Sequence, residues 1–349
     1  MLTQRLILTG DEAHDLPLIE QAAAVIRAGG LVAFPTETVY GLGADALNPE
    51  AVRRIFLAKG RPAWDPLIVH VDSPEAIFAY TQDHSELVEK LIQAFMPGPL
   101  TLVLPKREMI SDIVTAGRNT VAIRIPQHPV ARTLIQRSQR PIAAPSANKF
   151  GRPSPTTADH VLRDLNGEIE AVLDAGPTPL GVESTVLDLT TSPPTLLRPG
   201  GVSKEAIEAV VGPVRLLRTS VKEGEPLPSP GLTGRHYAPT ARVLLCDPTP
   251  EAFYEMLEEA LGRYTVVGAM RPAEWRVPDS PRLRVFEWGA WGDWQTLAQR
   301  LFAGLRALDD VPTHAIVCPV PPAEGLARAI RDRLLRAAAL PETPSREDN

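Results

Sequence analysis

Several short stretches between residues 35 and 201 place hydroxyls, amides and cations where a packed core has no use for them. PTETVYGLG (35–43) offers Thr36, Glu37 and Thr38 directly after an apolar run, at the strand end where α/β folds meet ligands. Its glycines allow close backbone approach. KGRPAWDPLIVH (59–70) sets Lys59 and Arg61 at a helix C-terminus, where they either meet the helix dipole or hold phosphate oxygens. His70 ends an alternating strand, where a lone histidine is more often a core residue than a catalyst. TVAIRIPQHP (120–129) embeds Arg124 in an apolar strand, and a charge there must face solvent or an anionic ligand. APSANKFGRPSPT (144–156) gathers Ser146, Asn148, Lys149, Arg152 and Ser154, either as an ordinary Ser/Pro loop or as a wrap for phosphate or purine. GVESTVLDL (181–189) and LLRPGG (196–201) add Ser184, Thr185 and Arg198. No GxxxxGK[ST], HExxH or GxSxG motif accompanies them, so phosphate chemistry here rests on positioning and charge.

Charge placement agrees. Between Arg118 and Arg163 the basic residues Arg118, Arg124, Arg132, Arg137, Arg140, Lys149, Arg152 and Arg163 face one acid, Asp159, although the whole chain carries a formal net charge of −6. An acidic total argues against a surface devoted to nucleic acid. Arg132, Arg137 and Arg140 also suit a solvated helix face. Cys246 and Cys318 both sit in apolar runs, so buried, inert thiols are expected rather than a disulfide framework or thiolate metal site. No apolar run approaches the ~20 residues of a membrane span, and MLTQRLILTGDEAHD lacks the features of a secretory signal, so a soluble, cytoplasmic protein is expected.

The 349 residues exceed what one core usually organises, which predicts two domains. The pattern predicts a helix over 16–28, stopped by Gly29–Gly30, then the strand LVAF (31–34). A helix over 49–59, a strand at 67–71, helices near 74–95, and strands at 101–105, 120–125, 141–144, 171–175, 185–189 and 195–198 follow. A helix near 203–211 closes one α/β domain with a large twisted mixed sheet. Residues 218–240, rich in Pro, Gly and Ser, read as linker. From Arg242 the alternation restarts in a smaller, open, Rossmann-like α/β unit without GxGxxG, so that shape implies no dinucleotide.

Taken together, PTETVYGLG, KGRP with PLIVH, PGPLTLVLP (97–105), TVAIRIPQHP, APSAN, GRPSPT, GVESTV and LLRPGG resemble, in order, the YrdC-like family of threonylcarbamoyl-AMP synthases. SPGLTGRHYAP (229–239) resembles the linker motif of its long form, which carries an extra C-terminal domain. The resemblance implies a YrdC-like catalytic domain over 1–212, a linker or lid over 213–240, a small α/β domain over 241–340 and a disordered tail over 341–349. It implies condensation of L-threonine, bicarbonate and ATP into L-threonylcarbamoyladenylate with release of pyrophosphate. The product would pass to a tRNA threonylcarbamoyl transferase that modifies an adenosine beside the anticodon, with room left for a weak direct contact with tRNA. Position by position, Thr38, His70, Arg124 and Ser184, with the backbone at Ala144, match residues holding threonine. Lys59, Arg61, Ser146 and Asn148 match the family's polar tetrad. Arg61, Asp65, Thr120, Ser146, Ser154, Arg198 and Tyr237 match positions holding ATP. His236 and Tyr237 are expected in a lid over the nucleotide, and Mg²⁺ is expected on the ATP phosphates, with Asp65 a candidate to act through it. Two other functions use the same features: a basic groove for RNA without chemistry, and carbamoyl transfer in metallocentre maturation, for which the expected zinc-finger cysteines are absent.

Overall fold

Asn48, Ser73, Thr157 and Ser203 each accept backbone N–H bonds from the first turn of a following helix, and these caps set where the helices flanking the main sheet begin. The computed structural model describes residues 2–217 and 225–339; the expected tail over 341–349 and part of the linker lie outside the described residues. In chain order the first strands are β1 (Gln4–Ile7), β2 (Val32–Phe34), β3 (Gly41–Asp45), β4 (Ile68–His70), β5 (Leu100–Pro105) and β6 (Thr120–Arg124). After them come β7 (Ile142–Ala143), β8 (Ala171–Asp174), β9 (Thr185–Asp188), β10 (Thr195–Arg198) and β11 (Arg215–Leu216). They form one mixed sheet in the order β1-β8-β2-β3-β7-β4-β6-β5-β9-β10-β11.

Three differences from the sequence expectation have local causes. The first helix runs Glu12–Arg27, starting before residue 16, because Asp11 caps it and Pro17 is accommodated inside. PTETVYGLG is more than a turn: β3 folds back antiparallel on β2, and a Cβ at Gly43 would lie 2.7 Å from the Phe34 ring and 2.8 Å from Ile142. Gly43 therefore serves packing rather than ligand approach. β11 extends the catalytic sheet past residue 212, into the stretch read as linker, by pairing in parallel with β10.

Register brings the polar residues together. His70 lies beside Arg124 in the parallel β4–β6 pair, and Ile142 flanks His70 on the other side. Because side chains alternate along a strand, Ile68 and His70 share a face with Ala122 and Arg124, while Val69, Val121 and Ile123 enter the main core behind the sheet. A register shift between Leu196 and Arg198 in the β9–β10 pair places both Leu197 and Arg198 on the site side.

The second unit is a parallel sheet in the order β12-β15-β13-β14, with β12 Arg242–Cys246, β13 Val267–Pro272, β14 Leu283–Gly289 and β15 Ala315–Pro319. Cys246 and Cys318 are buried in it, and burial pushes the Cys246 thiol up to about 12. Among the described residues no helix is long and apolar enough to cross a membrane.

The two units share a core: Val39, Val182 and Tyr237 pack with Leu301, Phe302 and Ile330. At Gly181 any Cβ would sit 2.4–2.6 Å from the backbone of Ala298 and Gln299, so the GVEST turn abuts the helix Trp294–Asp309 directly. Beside it, Arg306 forms a buried ion pair with Asp164 at 2.7 Å and donates to the Pro153 carbonyl. Removing one partner of such a pair strands a buried charge, whereas removing both does not. Arg306→Ala is expected to lower unfolding free energy by about 3–5 kcal/mol, and Arg306→Met with Asp164→Leu to recover most of it, as read by chemical denaturation.

Candidate active site

A cavity lies where the site face of the large sheet meets the linker. One end is built from the turn after β2 and the C-terminal ends of β4 and β6. Thr36 and Thr38 hydroxyls lie 2.7 Å apart, and Arg124 Nη1 donates to Thr38 Oγ1 at 3.2 Å. Ser184 reaches the same space from the turn before β9, its hydroxyl 2.8 Å from that of Thr101. His70 and the backbone of Ala144 complete this end.

Arg124 faces the cavity as a cation on an apolar strand should, but it is not waiting for a counter-ion. Its Nη2 donates to Glu37 Oε1 at 2.6 Å, and Nε donates to the Gly98 carbonyl. Glu37 is in turn fixed by the Gln127 N–H. With three of its five N–H groups used, Arg124 retains one on each terminal nitrogen, enough for a ligand oxygen but not for a free two-armed fork.

His70 is buried, its Nδ1 lacks a partner among the described residues, and burial followed by the Arg124 charge lowers it to about 3. It is therefore a neutral imidazole at physiological pH.

Cations crowd the other end. Arg198 is 4% exposed and spends its donors on the Ser184 carbonyl and hydroxyl and the Pro230 carbonyl; among the described residues no carboxylate forms an ion pair with it. Burial lowers its pKa from the ordinary value. Arg61 lies across from it and ion-pairs with Asp65 at 2.9 Å, also donating to the Asp65 and Pro66 carbonyls. The geometry of that pair gives Asp65 no proper hydrogen bond, and burial raises its carboxyl to about 6. Ser146 lines the cavity.

Other expected ATP residues act from behind. Lys59 does not reach the cavity: its Nζ donates to the Ser146 and Asn148 carbonyls at 2.6 and 2.5 Å, and burial, then Arg61, pushes its pKa well down. Asn148 ties off the carbonyls of Lys149 and Arg152. These two members of the polar tetrad shape the loop that presents Ser146. Ser154 also lies outside the cavity wall, donating to Glu183 Oε1 at 2.5 Å. Thr120 begins β6, on the same face as Arg124 but at the opposite end, and Leu227 and Leu232 cover Ala122 between them.

The linker forms the roof. Pro230, Gly231, His236 and Tyr237 line the cavity, and the Ala238 N–H donates to the Gly151 carbonyl. Tyr237 is 1% exposed, in the left-handed region at φ 60°, with its hydroxyl against Gly231, where a Cβ would lie 2.5 Å away. His236 is buried, and burial followed by the Arg61 charge keeps it neutral.

Glu183, which lines the cavity next to Ser184 and accepts the Ser154 hydroxyl from behind, escaped the sequence analysis, as did Thr101 and Arg333. A lone carboxylate inside a hydroxyl-rich turn was the available signal for Glu183.

Comparison with known proteins settles the family. Residues 24–200 match the family model described as "Telomere recombination", and residues 202–339 match "Threonylcarbamoyl-AMP synthase, C-terminal domain". The threonylcarbamoyl-AMP synthase of Bacillus subtilis is 45% identical over 332 residues, 95% of this chain and 96% of that one. The chain belongs to the threonylcarbamoyl-AMP synthase family. Synthesis of threonylcarbamoyl-AMP, a nucleotidyl transfer, is the activity of that family. Among solved structures of family members, Pyrococcus abyssi Sua5 complexed with L-threonine superposes with a TM-score of 0.88 at 42% identity, covering 97% of this chain and 98% of that one. A shorter Mycobacterium tuberculosis relative is 40% identical over 194 residues, 56% of this chain and 89% of its own.

A histidine whose folded pKa lies near 3 and unfolded pKa near 6.5 takes up its proton only on unfolding between those values. Stability contributed above pH 6.5 is lost as pH falls through that window. Between pH 7 and pH 5 the wild type is expected to lose about 2 kcal/mol more than His70→Gln, measured by urea unfolding at both pH values.

Proposed function

We propose that this chain joins L-threonine, bicarbonate and ATP into L-threonylcarbamoyladenylate and pyrophosphate, for transfer of the threonylcarbamoyl group to tRNA by a second enzyme in the cytoplasm. One observation carries the assignment of ends: Arg198 is a buried guanidinium facing the cavity without a carboxylate partner among the described residues. Burying such a charge is costly unless an anion completes it, and a polyphosphate does so.

Threonine then lies in the opposite end. Its carboxylate takes the two remaining N–H groups of Arg124, and Thr38, Ser184 and the neutral His70 read its hydroxyl and amine. His70 can accept a hydrogen bond on its partnerless Nδ1 if its proton sits on the other nitrogen. The amine attacks bicarbonate carbon with loss of water, giving a carbamate. A carbamate oxygen attacks the α-phosphorus, and the α–β bridging oxygen leaves with its electron pair on pyrophosphate. Both partners are anionic, so Arg61 and Arg198 must screen their approach and stabilise charge on the leaving group. Among the described residues no cluster of three or more His, Cys, Asp or Glu side chains is shaped to hold a metal. Asp65 is fully buried beside Arg61 and does not line the cavity, so Mg²⁺ would be held by the ATP phosphates themselves, where it would supply further charge neutralisation.

With Leu227 and Leu232 seated over Ala122, Thr120 is cut off from the cavity. A nucleotide that spans from Arg198 to Thr120 requires the linker to lift and close again, which supports a lid role for residues 225–240. Gly231→Ala would drive a methyl into the Tyr237 hydroxyl at a φ of +76°, and is expected to lower kcat at least about tenfold while threonine affinity holds; an unchanged kcat would argue against closure.

Supplying ATP, bicarbonate and each amino acid in turn, and measuring pyrophosphate together with adenylate mass, tests the assignment. Arg61→Ala is expected to slow pyrophosphate release by about 100-fold or more. Wild-type pyrophosphate release in that variant would refute the placement of ATP, and an absence of adenylate in the wild type would refute the reaction.

A further inference from the structure

Arg333 lies on the helix Ala327–Ala338 in the C-terminal domain and is fully buried. Its own domain gives it one acceptor, Asp332 Oδ2 at 2.7 Å. The others belong to the catalytic domain and linker. Nε donates to Glu183 Oε2 at 2.8 Å, Nη1 donates to the Pro199 carbonyl at 3.0 Å, and the guanidinium carbon stands 5.1 Å from the centre of the Tyr237 ring. Glu183 receives Ser154 on its other oxygen. Thus one side chain from the second domain touches the GVEST turn, the LLRPGG turn and the linker at once.

The remaining ion pairs between the two units do not converge in this way. Arg152–Asp309, Arg163–Asp310 and Arg328–Glu205 each have an exposed member, and Arg306–Asp164 touches no residue that lines the cavity. Glu183 and Tyr237 both line it. Glu183 would otherwise be a buried carboxylate beside the end of the cavity assigned to polyphosphate, where like charges repel.

We propose that Arg333 is a positioning residue for the nucleotide end: it neutralises Glu183, fixes it toward Ser154, and holds the Tyr237 ring in the roof. The proposal rests on the placement of ATP given above. It gives the C-terminal domain a direct part in the reaction of this chain.

The test uses the full-length chain with Arg333→Met, Arg333→Lys and Glu183→Gln, reading ATP KM, kcat and threonine affinity separately. Arg333→Met is expected to raise ATP KM at least tenfold and to lower kcat, with threonine affinity within twofold of wild type. Glu183→Gln, which removes the charge Arg333 neutralises, should restore part of the ATP affinity when combined with Arg333→Met. Arg333→Lys keeps the charge and loses one arm, so it should fall between wild type and Arg333→Met; if Arg333→Met does not fold, a threefold or larger rise in ATP KM for Arg333→Lys decides in favour. Unchanged ATP KM in a folded Arg333 variant, or parallel loss of both substrates, overturns the proposal. Failure of the wild type to form adenylate would instead overturn the functional assignment on which it rests.

Discussion

Positive charge buried at the junction of three chain segments is the constraint on which this architecture turns. Arg61, Arg198 and Arg333 are each withdrawn from water, and desolvation of a guanidinium is expensive unless oxygens surround it. The fold meets that cost with backbone carbonyls of turns: Asp65 and Pro66 for Arg61, Ser184 and Pro230 for Arg198, Pro199 for Arg333. Carbonyl dipoles stabilise a cation without cancelling it. Arg61 and Arg333 have carboxylates besides, Asp65 for the one and Glu183 and Asp332 for the other, so among the described residues it is Arg198, held by carbonyls and a hydroxyl, that keeps an uncancelled positive charge on the cavity.

This division of labour explains why the polar tetrad does not act as a single cluster. Arg61 and Ser146 border the cavity, whereas Lys59 and Asn148 spend their hydrogen bonds on the loop behind. A lysine tied to two carbonyls fixes the backbone that carries Ser146, which in turn bridges to Gly41 opposite. Preorganised groups of this kind lose little entropy or reorganisation energy when charge develops. On the threonine side, Glu37 performs the same service for Arg124, leaving fewer donors but a fixed direction.

Much of this was legible from the residues. Strand runs of alternating or wholly apolar character fell where pairing was found, because a sheet covered on both faces demands them. Short elements at the margins were not legible: β11 has two residues, and β3 reads as a Gly-rich turn because its glycines make room for Phe34. Arg124 was recognised as a charge needing a partner, yet the partner, Glu37, lies 87 residues away and only register could pair them. Arg333 illustrates a signal that was present and passed over. It sits three residues after Ile330 and four before Ala337, in line with the apolar face of its helix, and a charged residue in that position had to find its counter-charge elsewhere in the fold.

The core shared by the two units has a bearing on how the chain is made. Val39 and Val182 belong to the part synthesised first, yet the residues that cover them, Leu301, Phe302 and Ile330, are translated more than a hundred residues later. Until then the nascent catalytic unit carries an uncovered apolar patch beside an unmatched Glu183. Such intermediates are the ones that attract chaperones or associate wrongly. The last helix thus finishes the folding of a domain whose own sequence ended long before it.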